Sequence, residues 1–241
     1  MPLFSTLAVV GIVALASFVR SAIGFGMGLV AMPLLGLVLD VQTATPMLAL
    51  SGMAMSILIV GQDWKHVEWR SLRHLLIGAV LGIPLGILLL KGLPPGPVKI
   101  VLGVVVVLFA IYGLFGRNRM PLRPTPITAG LLGFVSGSLA SGFNIGGPPV
   151  VAYATLQRWD PPVFRATLQG YFLVAGIVSL IGHGVAGLWT IDVAKLAAVT
   201  LPAMAIGTLI GRRVNRRIDP MRFRRVIYVA LLILGIVLFV K

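Results

Sequence analysis

The chain has 241 residues, of which 58% are hydrophobic and only 11% are charged. Soluble globular chains are about one-quarter charged, so this composition excludes an ordinary soluble protein and predicts an integral membrane protein. The formal net charge is +14, but the basic residues lie in short loops between apolar runs. They therefore predict membrane orientation and not nucleic-acid binding. The absence of cysteine excludes disulfides, iron–sulfur clusters and thiolate zinc sites.

Apolar segments follow one another along almost the whole chain, and each is expected to be a helix because the membrane offers backbone groups no other partner. The first lacks a preceding basic region, so we expect it to be a retained membrane segment and not a cleaved signal peptide. The predicted fold class is thus an all-α polytopic membrane protein. The segments are 3–22, 28–39, 43–61, 71–90, 98–116, 126–142, 147–157, 165–182, 194–211 and 226–240.

Two apolar runs are interrupted by glycine and proline. The first break, at 24–28, has the sequence Gly-Phe-Gly-Met-Gly, and the second, at 141–149, has the sequence Ser-Gly-Phe-Asn-Ile-Gly-Gly-Pro-Pro. Glycine weakens a helix interior and a Pro-Pro pair cannot lie within one, so the helices must break here. A break in hydrocarbon persists only where its backbone lines a cavity or meets a ligand. Paired breaks in two halves of a chain indicate a transporter's substrate site.

The second half of the sequence repeats the first. Besides the two breaks, Gly82-x-x-x-Gly86 matches Gly207-x-x-x-Gly211 at an offset of 125 residues. Each half holds five segments, and this odd number predicts two inverted repeats, at 1–120 and 121–241. Each repeat is expected to be a re-entrant or broken helical hairpin plus three transmembrane helices. The remaining correspondences pair Ala44-Thr45 with Ala166-Thr167 and Leu93-Pro94-Pro95 with Ile218-Asp219-Pro220, and the join falls near Arg117–Pro126.

The basic residues are distributed asymmetrically between the loops. Alternate crossings put fifteen of the 20 Lys and Arg on one side, while the other side receives Lys91, Lys99, Lys195 and Lys241. The positive-inside rule makes the first side cytoplasmic and puts both termini outside. The segments 28–39 and 147–157 cover only ~17 Å of a ~30 Å core, so each is paired with the segment before it as a hairpin, whether re-entrant or fully crossing.

The hairpin interpretation brings the two breaks together near the midplane and exposes the N-termini of two short helices there. Helix N-termini favour anions, and the guanidinium of Arg20, deep in the membrane, matches oxyanions. The alternative is that Arg20 snorkels to an interface or binds helix-end carbonyls. Asn144 can add a side-chain amide to this site. Thr45, Thr167 and Gln169 could line the cavity, but such residues in membrane helices form interhelical hydrogen bonds equally often. The candidate substrate-binding residues are Arg20, Gly24, Phe25, Gly26, Gly28, Thr45, Gly142, Asn144, Gly146, Gly147, Thr167 and Gln169.

Other features predict structure more than chemistry. The two Gly-x-x-x-Gly pairs indicate close helix packing, and His183, at an outer helix end, is expected at the interface. All six Asp and Glu lie in or beside loops, so no buried carboxylate proton relay is predicted. There is no Walker loop, no nucleophile–base pair and no metal-ligand spacing, so we expect neither an enzyme nor a cofactor or metal.

In this order of motifs, from each Gly-rich break through an Ala-Thr helix start to a Gly-x-x-x-Gly helix and a proline turn, the chain resembles the TauE/SafE sulfite-exporter family of membrane permeases over nearly its whole length. The resemblance implies a permease for sulfite, a sulfonate or a related organosulfur oxyanion in a bacterial-type inner membrane. Together with the paired breaks it leads us to expect a secondary transporter that exports this anion by alternating access. The alternatives are a proton- or Na⁺-coupled uptake permease for a small organic anion, a non-transport membrane component of sulfur metabolism, and a structural scaffold. The expected partners are a small anion and the lipid bilayer, without nucleic acid, and assembly into a homo-oligomer is left open.

Overall fold

A computed structural model describes residues 3–116, 123–215 and 220–240 of the chain. These ranges contain ten α-helices and no β-strand, which confirms the predicted all-α fold class. Each predicted apolar segment corresponds to one helix. The helices are α1 (Leu3–Ile23), α2 (Met27–Leu35), α3 (Val41–Asp63), α4 (Trp69–Gly92), α5 (Pro95–Ile111), α6 (Pro126–Phe143), α7 (Gly147–Leu156), α8 (Pro161–Val185), α9 (Ile191–Asn215) and α10 (Pro220–Val240).

Most of these helices suit a bilayer. Among the described residues, six helices are long and apolar enough to cross a membrane, namely α1, α4, α5, α6, α8 and α9. Large apolar side chains are exposed along them, including Leu81 and Leu88 of α4 and Ile181 and Val185 of α8. Soluble proteins rarely expose so much apolar surface, whereas lipid solvates it. The chain is therefore a multi-pass membrane protein, as predicted, while the side on which each terminus lies stays a prediction.

Both predicted helix breaks are present, and the backbone shows their cause. At the first, Gly24 and Gly26 have φ angles of 99° and 98°, in a region that side chains with a Cβ rarely enter, so α1 ends before them and α2 starts after them. At the second, Asn144 has a φ of 56° and ends α6, and α7 starts at Gly147 with two prolines in its first turn. The short helices α2 and α7 have nine and ten residues, and so extend ~14 and ~15 Å.

The chain divides into two compact units, and each draws on both halves of the sequence. Unit 1 contains α1, α2, α5, α9 and α10, and unit 2 contains α4, α6, α7, α8 and most of α3. In residue numbers, unit 1 is Met1–Ala44, Leu93–Met120 and Ile191–Lys241, and unit 2 is Thr45–Gly92 and Pro121–Thr190.

The inverted orientation of the repeats at 1–120 and 121–241 stays a prediction. Two features used for it fall partly outside the described residues. The predicted join near Arg117–Pro126 includes 117–122, and the second proline turn begins within 216–219. Four arginines of the charge count also lie there: Arg117, Arg119, Arg216 and Arg217.

In unit 2, α4 and α6 pack through glycine. A Cβ on Gly82 would overlap the carbonyl oxygen of Phe134, and one on Gly86 would overlap that of Ser138. Ser138 closes the contact from its own side, because its hydroxyl donates a hydrogen bond to the Gly82 carbonyl over 3.0 Å. The backbones of α4 and α6 therefore approach to a distance that only glycine permits, as small residues four apart do in other membrane helix pairs.

In unit 1, α1 and α9 pack through the corresponding glycines of the other half. A Cβ on Gly207 would overlap the carbonyl oxygen of Ala14, and one on Gly211 would lie 2.5 Å from that of Phe18. The Ser21 hydroxyl donates to the Thr208 carbonyl over 2.8 Å. The prediction that both Gly-x-x-x-Gly pairs serve close packing is confirmed. In each unit, the glycine helix of one half packs on the first helix of the other half.

Candidate functional site

The first break lies in unit 1, beside a buried cation. Arg20, in the last turn of α1, is only 6% exposed, so its side chain is buried. Its Nη1 lies 4.0 Å from the Sδ of Met27, the first residue of α2. The guanidinium is thus close to the N-terminal turn of α2, where backbone N–H groups have no carbonyl partner within the helix. Both features favour an anion.

The aromatic residue of this break faces other aromatic rings. Phe25 is buried and meets the ring of Phe109 edge-on, with 6.2 Å between centroids. Phe109 in turn meets Tyr228 of α10 edge-on at 5.5 Å. Such T-shaped pairs stabilise packing beyond the area that they bury. Phe25 therefore connects the break to α5 and α10, while the neighbouring Gly24, Gly26 and Gly28 supply backbone without side chains.

The second break lies in unit 2 and is held by side chains of other helices. The left-handed conformation of Asn144 lets its N–H reach the Ala140 carbonyl at 2.8 Å, which closes the end of α6. The Asn144 amide nitrogen lies 3.4 Å from the Thr45 carbonyl oxygen, and the Thr45 hydroxyl donates to the Gly142 carbonyl over 3.2 Å. Thr45 thus contacts the break directly, as an interhelical hydrogen-bond partner of Gly142 and Asn144.

A buried tyrosine supports the same break, although no pattern in the sequence indicates it. The Tyr171 hydroxyl of α8 donates to Ser136 Oγ over 2.7 Å, and the Ser136 hydroxyl donates onward to the Gly146 carbonyl by a short bond. Gly146 is the residue that precedes α7, and Gly147 is its first residue. The backbone from which α7 starts is therefore fixed by a chain of two hydrogen bonds. A buried polar chain of this kind rigidifies its surroundings when every member is satisfied.

His183 does not lie at an interface, so that expectation is wrong. Its side chain is completely buried, and Nε2 lies 2.7 Å from the Ser141 carbonyl oxygen. A carbonyl can only accept, so Nε2 carries a hydrogen, and Nδ1 carries none when the ring is neutral. Within the described ranges, Nδ1 has no hydrogen-bond partner, and neither has the buried Ser179 hydroxyl one turn earlier. The end of α6 covers this end of α8, and for that reason His183 is inside.

Two further candidates lie on α8. Thr167 is buried, and its hydroxyl oxygen accepts the Glu68 backbone N–H over 2.9 Å. The Glu68 carboxylate in turn accepts the Ser71 N–H over 2.7 Å and so caps the start of α4. This contact favours the interhelical interpretation of Thr167. Gln169 is also buried, and a part in substrate binding stays a prediction for both residues.

The structure thus brings some candidates together and separates others. Arg20 and the first break share unit 1, and Thr45 shares unit 2 with Gly142, Asn144, Gly146 and Gly147. That the two breaks meet near the midplane stays a prediction, as do the ligand contacts of all twelve candidates. In the ranges 3–116, 123–215 and 220–240, no group of His, Asp and Glu side chains is placed to hold a metal ion.

The fold and this geometry define a class: a multi-pass helical membrane protein with two interrupted helices, one of which starts beside a buried arginine. The model of the sulfite exporter TauE/SafE family matches residues 9–238, and the chain belongs to that family. A relative from Cupriavidus necator, described as "Probable sulfite/organosulfonate exporter TauE", is 27% identical over 232 residues, which cover 91% of this chain and 88% of the relative. No solved structure matches the chain.

Proposed function

We propose that the chain is a secondary transporter that exports a small sulfur oxyanion, sulfite or a short organosulfonate, across a bacterial inner membrane. The family description and the name of the Cupriavidus necator relative support this class of substrate and this direction. The anion is held at the two Gly-rich breaks, and access to it alternates between the two sides of the membrane. The chain acts as a carrier and not as an enzyme.

The observation that carries the proposal is the buried Arg20 beside the first turn of α2. A charged side chain within a membrane helix is costly and usually has a function. The planar guanidinium can donate two parallel hydrogen bonds to two oxygens of one sulfonate or sulfite. The N–H groups of the first turn of α2 add donors on the same side, and Gly28 lets a ligand approach that backbone closely.

The second break contributes a second helix N-terminus, that of α7. Its backbone is positioned by the bonds from Thr45 to Gly142 and from Ser136 to Gly146, so donors there need little reorganisation when an anion arrives. Fixed donors of this kind bind more tightly than donors that must first be ordered. This supports a substrate site that uses backbone N–H groups more than side chains.

The membrane potential supplies the driving force for export. A potential of 100 mV, inside negative, favours the exit of each negative charge by ~2.3 kcal/mol. Transport by a uniport mechanism then needs no coupling ion, which agrees with the position of all six acidic residues in or beside loops.

The test uses proteoliposomes loaded with radiolabelled sulfite or 2-hydroxyethanesulfonate, with efflux measured as the potential is varied. We expect saturable efflux that rises with an inside-negative potential. The Arg20→Gln variant should raise KM at least tenfold, since hydrogen bonds to charged groups contribute ~1.5–3 kcal/mol. Met27→Leu is the matched control, because it keeps the apolar volume beside Arg20, and its KM should stay within twofold. Wild-type vesicles without flux of any sulfur anion would refute the proposal.

Proton-coupled uptake of a small organic anion is the second candidate, and His183 favours it. Its Nδ1 is buried and without a partner in the described ranges, so it can take up a proton without first losing a hydrogen bond. In the same vesicles, clamped at zero potential, a pH gradient alone would then drive flux. His183→Asn, which keeps a donor for the Ser141 carbonyl, should abolish this pH-driven flux and leave exchange flux intact. A flux that does not change with the imposed pH gradient excludes proton-coupled uptake.

A further inference from the structure

Unit 1 contains a cleft that none of the site residues described above lines. Its volume is about 620 Å³, and it lies between the connection that follows α2 and the helices α1, α5 and α9. The polar groups on its walls come from Thr6, Asp40, Thr43, Lys99, Asp192 and Lys195. Small-molecule sites in proteins measure roughly 300–1,000 Å³, so the cleft has the size of a ligand site.

The charges of the cleft are balanced but not paired. Asp40, Asp192 and Lys195 are exposed and Lys99 is half-buried, and all four line the same space. In the part of the chain that the structure describes, no ion pair or side-chain hydrogen bond joins any of these four side chains to another residue. Two positive and two negative groups therefore remain available to a ligand.

A ligand with one sign of charge would be attracted by half of these groups and repelled by the other half. A molecule that carries both signs, separated by a short chain, can place each charge near groups of the opposite sign. We propose that the cleft binds a small zwitterion, an aminoalkanesulfonate. Lys99 and Lys195 face its sulfonate, and Asp40 and Asp192 face its ammonium group. The choice of sulfonate as the anionic group rests on the proposed function, whereas the zwitterionic character comes from the cleft alone.

The position of the cleft connects it to transport. It begins at Gly36, just past the C-terminal end of α2, while the first break lies at the N-terminal end of the same helix. The two sites are thus at opposite ends of a helix that extends ~14 Å. The loop charges predict that Lys99 and Lys195 lie on the outer side. The cleft is therefore an outer binding site in the same unit as Arg20.

The test compares three ligands of equal chain length on the purified full-length protein by calorimetry. These are 2-aminoethanesulfonate, which is a zwitterion, 2-hydroxyethanesulfonate, which is an anion, and 2-aminoethanol, which is a cation. We expect the zwitterion to bind about two- to fivefold more tightly than either of the others, and the upper value is the most that one exposed ion pair contributes. Because 2-hydroxyethanesulfonate also binds at Arg20 in the proposed function, the comparison is repeated on the Arg20→Gln variant, and equal affinities of the three ligands there overturn the proposal.

Variants identify the residues. The double variant Asp40→Asn with Asp192→Asn should remove the preference for the zwitterion over 2-hydroxyethanesulfonate, and Lys99→Gln with Lys195→Gln should weaken both ligands. Lys91→Gln is the matched control, because Lys91 donates to the Ala186 carbonyl in unit 2, away from the cleft. Wild-type affinities in both double variants contradict the assignment.

The outcomes separate this inference from the proposed function. A preference for the zwitterion in a protein that transports no sulfur anion would leave the cleft standing and refute the exporter. Sulfonate efflux together with equal affinities for the three ligands would support the exporter and refute the zwitterion site in the cleft. Arg20→Gln should raise the KM for efflux of 2-hydroxyethanesulfonate at least tenfold and leave binding of the zwitterion in the cleft unchanged.

Discussion

Replacing Gly82 of α4 or Gly207 of α9 by alanine should destabilise the protein, although alanine is the better helix former. In both cases the new methyl group would overlap a backbone carbonyl oxygen, that of Phe134 or that of Ala14. A backbone oxygen within a helix cannot move alone, so the whole helix must shift away. For Gly82→Ala, this shift also lengthens the 3.0 Å hydrogen bond from Ser138 to the Gly82 carbonyl.

The magnitude follows from two opposing terms. Overpacking of a close contact costs ~1–3 kcal/mol, while alanine in place of glycine within a helix gains ~0.5–1 kcal/mol. We expect a net loss of ~1–2 kcal/mol in the free energy of unfolding for each variant. Gly176 of α8 is the matched control, because a Cβ there has no heavy atom within 4 Å. Gly176→Ala should therefore raise stability by ~0.5–1 kcal/mol.

The assay is equilibrium unfolding of the three variants in one detergent, followed by helical circular dichroism. The decisive result is the sign, since the same substitution should destabilise at two positions and stabilise at the third. If Gly82→Ala and Gly207→Ala are as stable as Gly176→Ala, the helix pairs are not in close contact and the argument from packing fails.

Two further predictions concern residues of α8. Thr167→Val should lower the free energy of unfolding by ~1 kcal/mol, because the Glu68 N–H loses its acceptor. The KM for sulfonate efflux should stay within twofold of wild type. A rise in this KM above fivefold would show that Thr167 takes part in substrate binding. Tyr171→Phe should lower the free energy of unfolding by about 1 kcal/mol, measured by thermal unfolding, because the hydrogen bond to Ser136 Oγ is lost. An unchanged Tm would show that this bond does not stabilise the break.

The sequence was sufficient for features that depend on local spacing. The break at 24–28 follows from glycine at every second position, and the structure ends α1 and starts α2 there. Gly82 and Gly86 share one helix face because they are four residues apart, so close packing of α4 could be predicted. The helix that packs against α4 could not be predicted, because nothing in the spacing distinguishes α6 from the other apolar helices.

The burial and the hydrogen-bond partners of individual side chains could not be predicted from the sequence. His183 stands near a helix end, and its local context predicts an interface. Its burial is decided by Ser141, 42 residues earlier, which α6 brings against it. The same holds for Tyr171 and Ser136, which are 35 residues apart and meet through their hydroxyls. Hydrogen bonds between residues far apart in the chain produce no periodic pattern in the sequence, so no local pattern predicts them.

The interleaving of the two halves has a consequence for biosynthesis. Ser21 of α1 bonds to a carbonyl 187 residues later, in α9. At about 5–20 residues per second, the ribosome needs about 10–40 s to make that partner after α1 is complete. During this time α1, with Arg20 near its end, waits in the translocation machinery or the bilayer without the helix that buries it. The α4–α6 pair, by contrast, is complete much sooner. Unit 1 can therefore be completed only after all the helices of unit 2 have been synthesised, and α1 is the helix of unit 1 that exists longest without its partner.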